Sequence, residues 1–466
     1  MTKFFLDQHG CAKNQVDGEA LLAGLCREGY ARTLNPAEAD LIVINSCGFI
    51  EDAKKESLQA VFQARAAYPG AKIVLTGCLA RRYAGDFAQG LPEADAVFGD
   101  AVALGMALPR VLRGERVVDG GFSLSQEGLP LRQDLLSPPG SAYVKITEGC
   151  GNRCSYCAIP AIRGPLRSRS PKDILYEITD LLSRGIREIN LVGQDLAVYG
   201  TDLAPADGID SPLSHLLRGI SSLQGDFWAR LFYLHPGHFP LDILGPIADD
   251  RRILPYFDIP FQSGSDPVLR AMHRPGTAAG YIALVEEIRA RLAVRPPVFR
   301  TTFLCGFPGE TEEDAQATER FLRLAAPDWS GAFAFSREDG TPAYSFKKQV
   351  PRKTARDRAR RLEEIQEEIT ARKLAAWVGS EQSVLVEELL AAAAPDDDSG
   401  PDSAEDSSGA EDFALARAWF QAPEVDGVVV IRREHRAAPL PFRPGDLVRV
   451  RITAVRAPDV IAEWME

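Results

Sequence analysis

Between residues 148 and 164 the chain reads EGCGNRCSYCAIPAIRG, which sets Cys150, Cys154 and Cys157 in a C-x3-C-x2-C cluster. Gly149, Gly151 and Asn152 surround the first cysteine. A loop this short and polar can turn three sulfurs toward one point, and thiolates so spaced suit an iron–sulfur cluster. A cubane has four irons, so three cysteines leave one iron without a protein ligand. A metal position left open is where chemistry happens, whereas a closed site is structural. Zinc is the competing reading, but it asks for a fourth ligand, and no His or Cys follows within loop distance.

A length of 466 residues suggests about three domains at roughly 150 residues each. No long uncharged apolar run is present, so no membrane span is expected. The start, MTKFFLDQHG, lacks the basic and apolar regions of a signal peptide. A cytoplasmic protein is therefore expected, in which the 8 cysteines bind metal or react rather than pair as disulfides. The net charge of −12 makes a phosphate backbone a poor default partner and favours a basic one.

Residues 1–117 read as an open parallel-sheet α/β domain. Continuous apolar runs at 3–6, 41–45 and 72–76 alternate with helical patterns at 16–27, 53–67 and 81–89. Cys11, Cys47 and Cys78 each sit just past the carboxyl end of one strand, the edge where open α/β sheets bind ligands. Three cysteines far apart in sequence thus converge on one crevice as a second three-thiolate site. Gly10, Ser46 and Gly77 precede them and allow close backbone approach. Buried thiols that merely pack are the bland alternative; three at matching strand ends argue against it. Packing is the reading preferred for Cys26 and Cys305.

A Gly-, Ser-, Gln- and Pro-rich connector over 116–138 leads to a second α/β pattern, placed at 136–373. Strands are expected at 142–146, 188–192, 230–234, 256–259, 299–304 and 332–335, with helices at 172–184, 278–292 and 312–324 between them. Six such repeats predict a partial (β/α) barrel, whose active site forms where the strands end. Gln194, Asp195, His235, Gln262, Ser263, Ser336 and Arg337 all follow strands, so they should ring one cavity with the cysteine loop. A charged helix over 351–378 reads as solvated, with internal ion pairs. The domain at 376–466 has strand patterns at 383–386, 428–432, 447–452 and 460–464, a small β-barrel. The acidic segment 395–412 interrupts it and has a disordered composition. From Ser380 onward the net charge is −10, with eight Arg and no Lys against eighteen Asp and Glu. That charge suits solubility or docking of a basic partner.

These blocks together resemble the methylthiotransferase family of radical S-adenosylmethionine (SAM) enzymes over nearly the whole chain. GCAKNQVDGE, INSCGFIEDAKKES and LTGC match its N-terminal auxiliary-cluster domain. EGCGNRCSYCAIPAIRG matches its radical SAM motif, with Tyr156 as the customary aromatic before the third cysteine, and the tail resembles its TRAM domain. CGFIEDAKKES, YFDIPFQSGSDPVLRAMHRPG, RTTFLCGFPGETEED and FSREDGTPAY place it nearest the members that modify a ribosomal protein. His9, the LVGQD block and the acidic insertion depart from the usual pattern.

The resemblance implies two 4Fe-4S clusters, on Cys150, Cys154 and Cys157 and on Cys11, Cys47 and Cys78, with SAM at the open iron of the first. It implies SAM contacts from Tyr156, Gln194 and Gly306, although each is equally explained by turn chemistry. No side chain is assigned acid–base catalysis. The expected reaction adds a methylthio group to the β-carbon of an aspartate in a basic small-subunit ribosomal protein, the twelfth of its series. The reductant is expected to be of flavodoxin or ferredoxin type. The alternative is a tRNA methylthiotransferase acting on an adenosine beside the anticodon. Either reading requires both open irons to face one cavity, with the N-terminal crevice over the barrel mouth.

Overall fold

The computed structural model describes residues 1–121, 131–203, 210–390, 413–432 and 441–465. In the N-terminal unit six strands form one all-parallel sheet. The three expected strands are Lys3–Gln8, Leu41–Ser46 and Lys72–Gly77, lying side by side. Helices Ala12–Arg27, Glu51–Ala67 and Cys78–Gly90 follow them. Leu41–Ser46 is buried along its whole length, which is why it reads as unbroken apolar sequence. The strands Ala96–Phe98 and Val117–Asp119, with the helix Ala101–Leu112, extend the sheet beyond what the pattern predicts. Val117–Asp119 falls inside the stretch expected to be connector.

The central unit has six parallel strands in sequential order: Ser141–Lys145, Glu188–Val192, Trp228–Leu231, Ile253–Asp258, Val298–Cys305 and Trp329–Ala334. The sheet stays open, as a partial barrel. Its alternating side chains serve two cores. Val144, Leu191, Leu231, Phe257 and Phe299 pack outward against the helices. Tyr143, Val192, Trp228, Tyr256, Val298 and Trp329 point to the inner face. Half a barrel cannot cover that inner face itself, and burying it takes another layer.

The C-terminal unit supplies it. Five strands, Glu381–Leu390, Phe413–Ala418, Val429–Arg432, Leu447–Arg456 and Asp459–Trp464, close into a barrel. Its Val384, Val386, Ala414, Phe420 and Val429 share one apolar cluster with the inner face of the central sheet. Phe413–Ala418 is the strand the sequence does not announce. The acidic segment 395–412 lies outside the described residues.

Polar contacts fix this docking. Trp329 Nε1 donates to the Phe420 carbonyl at 2.8 Å, and Tyr256 Oη donates to Asp426 at 2.6 Å. Glu188, 0% exposed, accepts from Arg230 at 3.0 Å and from Arg417 of the small barrel at 2.6 Å. Arg230 also donates to the carbonyls of Trp419 and Gln421, at 2.9 and 3.0 Å.

Two expectations are corrected here. The helix Arg352–Ala375 is not a solvated rod, although Arg360 and Asp357 on it do pair, at 3.9 Å. It buries Ala355, Leu362, Ile365 and Ile369, and its cations reach other elements: Arg358 to Glu310 at 3.0 Å, Arg361 to Glu319 at 2.8 Å, Lys373 to Asp328 at 3.0 Å. Cys26 is exposed, because the apolar stripe of its helix runs through Leu21, Leu22 and Leu25. Cys305 is packed in the central core, as expected.

Glu188→Ala would leave the buried Arg230 without a carboxylate and Arg417 with Glu387 alone, and removing one partner of a buried ion pair costs about 3–5 kcal/mol. Burial alone would raise the Glu188 carboxyl, but Arg417 and Arg230 outweigh it and hold it well below the usual range. Its contribution is thus present above the unfolded carboxyl pKa and is lost as pH falls through the lower folded value. Denaturant titrations of both proteins at neutral and acidic pH should show a large gap that narrows toward acid.

Candidate functional site

The carboxyl ends of both parallel sheets open on one cavity of about 620 Å³. Cys11, Cys47 and Cys78 line it together with Cys150, Cys154 and Cys157. The two trios therefore share a chamber although they belong to separate domains.

The N-terminal trio is built by three strand-to-helix turns. Cys11 caps the helix Ala12–Arg27 and Cys78 opens the helix Cys78–Gly90. Gly10 has φ +92°, and a Cβ there would lie 3.1 Å from Cys47 Cβ, so only glycine fits without displacing that cysteine. Asn14 donates to the carbonyls of His9, Asn45 and Ser46, at 2.8, 3.4 and 3.3 Å, and ties two of the turns together. The Cys47 amide donates to Ser57 Oγ at 3.0 Å. Burial would raise the Cys11 thiol, but Lys13, Arg163 and backbone N–H groups hold it below its ordinary value. Burial pushes Cys47 up to about 12.

The second trio sits on the loop after strand Ser141–Lys145. The Cys150 amide donates to the Gly164 carbonyl at 3.1 Å, and the Asn152 amide donates to Cys150 Sγ at 3.4 Å. Asn152 is clamped on both sides: its Nδ2 donates to Asp195 at 2.7 Å, and its Oδ1 lies 3.0 Å from His238 Nε2. Asp195 in turn accepts from the amides of Ala197 and His235. Asp195, His235 and His238 bring potential ligand atoms within 4.8 Å of one another. Their bonds to Asn152 and the backbone make them the frame of the cysteine loop. Burial pushes Cys150 up to about 11 and Cys157 up to about 12.

Tyr156 and Gln194 line the cavity, as do His235 and Gln262. Tyr156 Oη accepts from Arg274 at 3.3 Å. His235 Nδ1 accepts from the Gly237 amide at 3.0 Å, which puts the ring proton on Nε2. That buried Nε2 has no hydrogen-bond partner among the described residues, and burial with Arg274 and His238 nearby keeps the ring neutral, at about 2. Gly306 is not in the cavity wall. Its φ is +77°, a Cβ would fall 2.2 Å from Ala355 Cβ, and its amide donates to Glu310, so packing against the long helix accounts for it.

Charged clusters dock the N-terminal unit at several places, among them Arg132, which joins Glu19 to Glu177. On one side Arg163, 1% exposed, pairs with Glu148 at 2.8 Å and Asp17 at 3.0 Å. Its Nη2 also lies 3.2 Å from Cys78 Sγ. Lys145 joins Asp17 to Glu148. On the other side Glu338, after the last central strand, takes Lys54 and Arg82, each at 2.9 Å. Pro423, Glu424 and Val425 of the small barrel complete the wall. Lys13, Asn14, Tyr233, Asp258, Arg274 and Arg300 are wall residues that sequence reasoning did not single out. Lys13, Asn14, Asp258, Arg274 and Arg300 lie inside the sequence blocks that carry the family resemblance.

Each trio is a soft three-sulfur donor set of the kind that holds iron–sulfur clusters. Cations stand beside both, Arg163 at Cys78 and Arg274 at 3.9 Å from Cys154, and suit thiolate charge. The residues present fit such a group at either place.

Residues 3–99 match the family described as uncharacterized protein family UPF0004. Residues 144–322 match the radical SAM superfamily, and 403–465 the TRAM domain. The ribosomal protein uS12 methylthiotransferase RimO of Treponema denticola is 46% identical over 96% of this chain and 98% of its own. That of Syntrophomonas wolfei is 36% identical over 98% of each. Among solved structures, the radical SAM methyltransferase TsrM of Kitasatospora setae, with cobalamin and a [4Fe-4S] cluster bound, superposes with a TM-score of 0.51. It is 14% identical, over 82% of this chain and 77% of that one, a likeness of fold.

Arg163→Ala would take one cation from the buried Glu148, which keeps Lys145 and Arg81, so the loss should fall below the roughly 3–5 kcal/mol of a fully stranded buried charge. Denaturation midpoints should fall accordingly. Cys78, buried in the parent protein, should label faster with a thiol reagent. An unchanged labelling rate would mean that Arg163 does not hold the two units together.

Proposed function

Since this chain belongs to the ribosomal protein uS12 methylthiotransferase family of radical SAM enzymes, we propose that it adds a methylthio group to the β-carbon of an aspartate in that small-subunit protein. The observation that carries the proposal is the common chamber: both cysteine trios line a single cavity of about 620 Å³. Cys150, Cys154 and Cys157 would hold one 4Fe-4S cluster, and Cys11, Cys47 and Cys78 a second. Once bound, these groups and SAM supply a carbon-centred radical able to take hydrogen from an unactivated carbon, and the sulfur to be delivered there.

The protein's part is position and exclusion of water. Asn152, held by Asp195 and His238, fixes the loop of the second trio. Asn14 and Arg163 fix the turns of the first. Tyr156 and Gln194, in the cavity wall, would contact SAM, and His235 would offer a neutral N–H to a ligand acceptor. Phe49, Phe333 and Val425 line the cavity yet remain 38%, 54% and 53% exposed, an apolar rim for an incoming polypeptide loop. A flavodoxin- or ferredoxin-type protein would supply the electrons. No described helix is long and apolar enough to cross a membrane.

The test is anaerobic incubation of the reconstituted protein with SAM, reductant and either small-subunit proteins or tRNA. A methylthio mass gain on the protein substrate is expected; a gain on tRNA alone would overturn the proposal. Replacing either cysteine trio with alanine should remove about half the iron and abolish product. Turnover retained by Cys47→Ala would refute the two-cluster arrangement.

A further inference from the structure

Four cations line the cavity: Lys13, Arg163, Arg274 and Arg300. Three are committed to groups of the protein. Arg163 is paired with Glu148 and Asp17. Arg300 lies 3.7 Å from Asp258 and 3.4 Å from Asp426. Arg274 donates to the Pro260 carbonyl at 2.5 Å and to Tyr156. Lys13 differs. Among the described residues its ammonium has neither an ion pair nor a hydrogen bond, and its close neighbour is the Tyr233 ring, with Nζ 3.4 Å from the centroid.

Three features make this placement costly. Lys13 is only 7% exposed, and Cys11 and Asp258, the anionic groups whose charge reaches it, neither pair nor hydrogen-bond with it, so its buried charge is only partly offset. It stands in the first turn of the helix Ala12–Arg27, where the macrodipole disfavours a cation. Tyr233, which presents its ring, has φ +61°, a conformation that aromatic residues avoid. Strain of this kind persists where the surroundings impose it, commonly at ligand sites. The cation–π contact and the more distant Cys11 and Asp258 offset part of the cost, but none of them pairs directly with the ammonium.

We propose that Lys13 receives the side-chain carboxylate of the residue to be modified, and so selects aspartate over its amide. This rests on the reading of the site as one that modifies an aspartate. The carboxylate completes the ammonium, and the adjoining β-carbon is thereby fixed beside both trios. An asparagine in the same place leaves Lys13 unpaired. Lys13 is a positioning and specificity residue.

The experiment uses the loaded full-length protein and two peptides spanning the target loop, one with Asp and one with Asn at the modified position. Anisotropy gives their affinities and mass spectrometry their rates. The parent protein should favour Asp by tenfold or more, the scale of a buried charge-assisted hydrogen bond. Lys13→Met should bring the ratio near one, raising KM for the Asp peptide more than it lowers kcat, and Lys13→Arg should restore part of it. Should Lys13→Met fail to load iron, Lys13→Arg and Lys13→Gln carry the affinity comparison. An Asp preference that survives in Lys13→Met or Lys13→Gln overturns the assignment. So does a shifted reduction potential of the N-terminal cluster with the preference intact, which would make Lys13 a partner of that cluster. If the parent protein modifies tRNA and neither peptide, the reading of the site falls first and this assignment with it.

Discussion

The shared chamber depends on buried ion pairs across the domain boundary, and one guanidinium ties them to the sulfurs themselves. Arg163 lies six residues beyond Cys157, on the short helix Ile159–Arg163 that ends the loop of the second trio. It reaches across the domain boundary to Asp17 and to the sulfur of Cys78 while paired with Glu148 at home. Buried ion pairs of this kind often add little net stability compared with apolar packing. What they impose is a single arrangement, because any other leaves charges buried and alone. The Glu338 cluster, after the last central strand, does the same with Lys54 and Arg82, and Arg132 does so between Glu19 and Glu177, so the N-terminal unit is held at more than one point.

The central sheet sets a second requirement. Six strands curve without closing, and their inward residues include Asn190, Arg230, Tyr256, Asp258 and Arg300 beside the aromatic ones. Such a face can be neither fully solvated nor simply packed. The small barrel meets it with both kinds of group: apolar strands against Tyr143 and Trp228, and carbonyls and carboxylates against Arg230 and Tyr256. Several of the tail's acids are spent inside the protein in this way. Asp426 takes Tyr256, and Glu387 takes Arg417 at 2.6 Å. The tail's negative charge is thus partly structural, and not wholly a surface for partners.

The cysteine sites were legible because parallel strands are buried on both faces and end at one edge. Once 3–6, 41–45 and 72–76 read as such strands, the convergence of Cys11, Cys47 and Cys78 followed. Strands of two or three residues, such as Ala31–Arg32 and Ala96–Phe98, carry no period to read. The pairing of Arg358 and Arg361 depends on which helix lies alongside, which composition does not reveal. Gly306 looked like a cofactor contact because a glycine at a strand end suits either a ligand or a helix; here Ala355 occupies the space. Lys13 and Tyr233 were invisible for a different reason. Their importance lies in a missing partner and a backbone angle, and neither is written in residue type.

The wall of the chamber runs from Gly10 to Val425, nearly the full span of the chain. A ribosome releases those parts in order. Both sets of sulfur donors are exposed from the tunnel long before the turn at 423–425 that roofs them. The small barrel's part of the wall is therefore the last to be made, after both sets of sulfur donors.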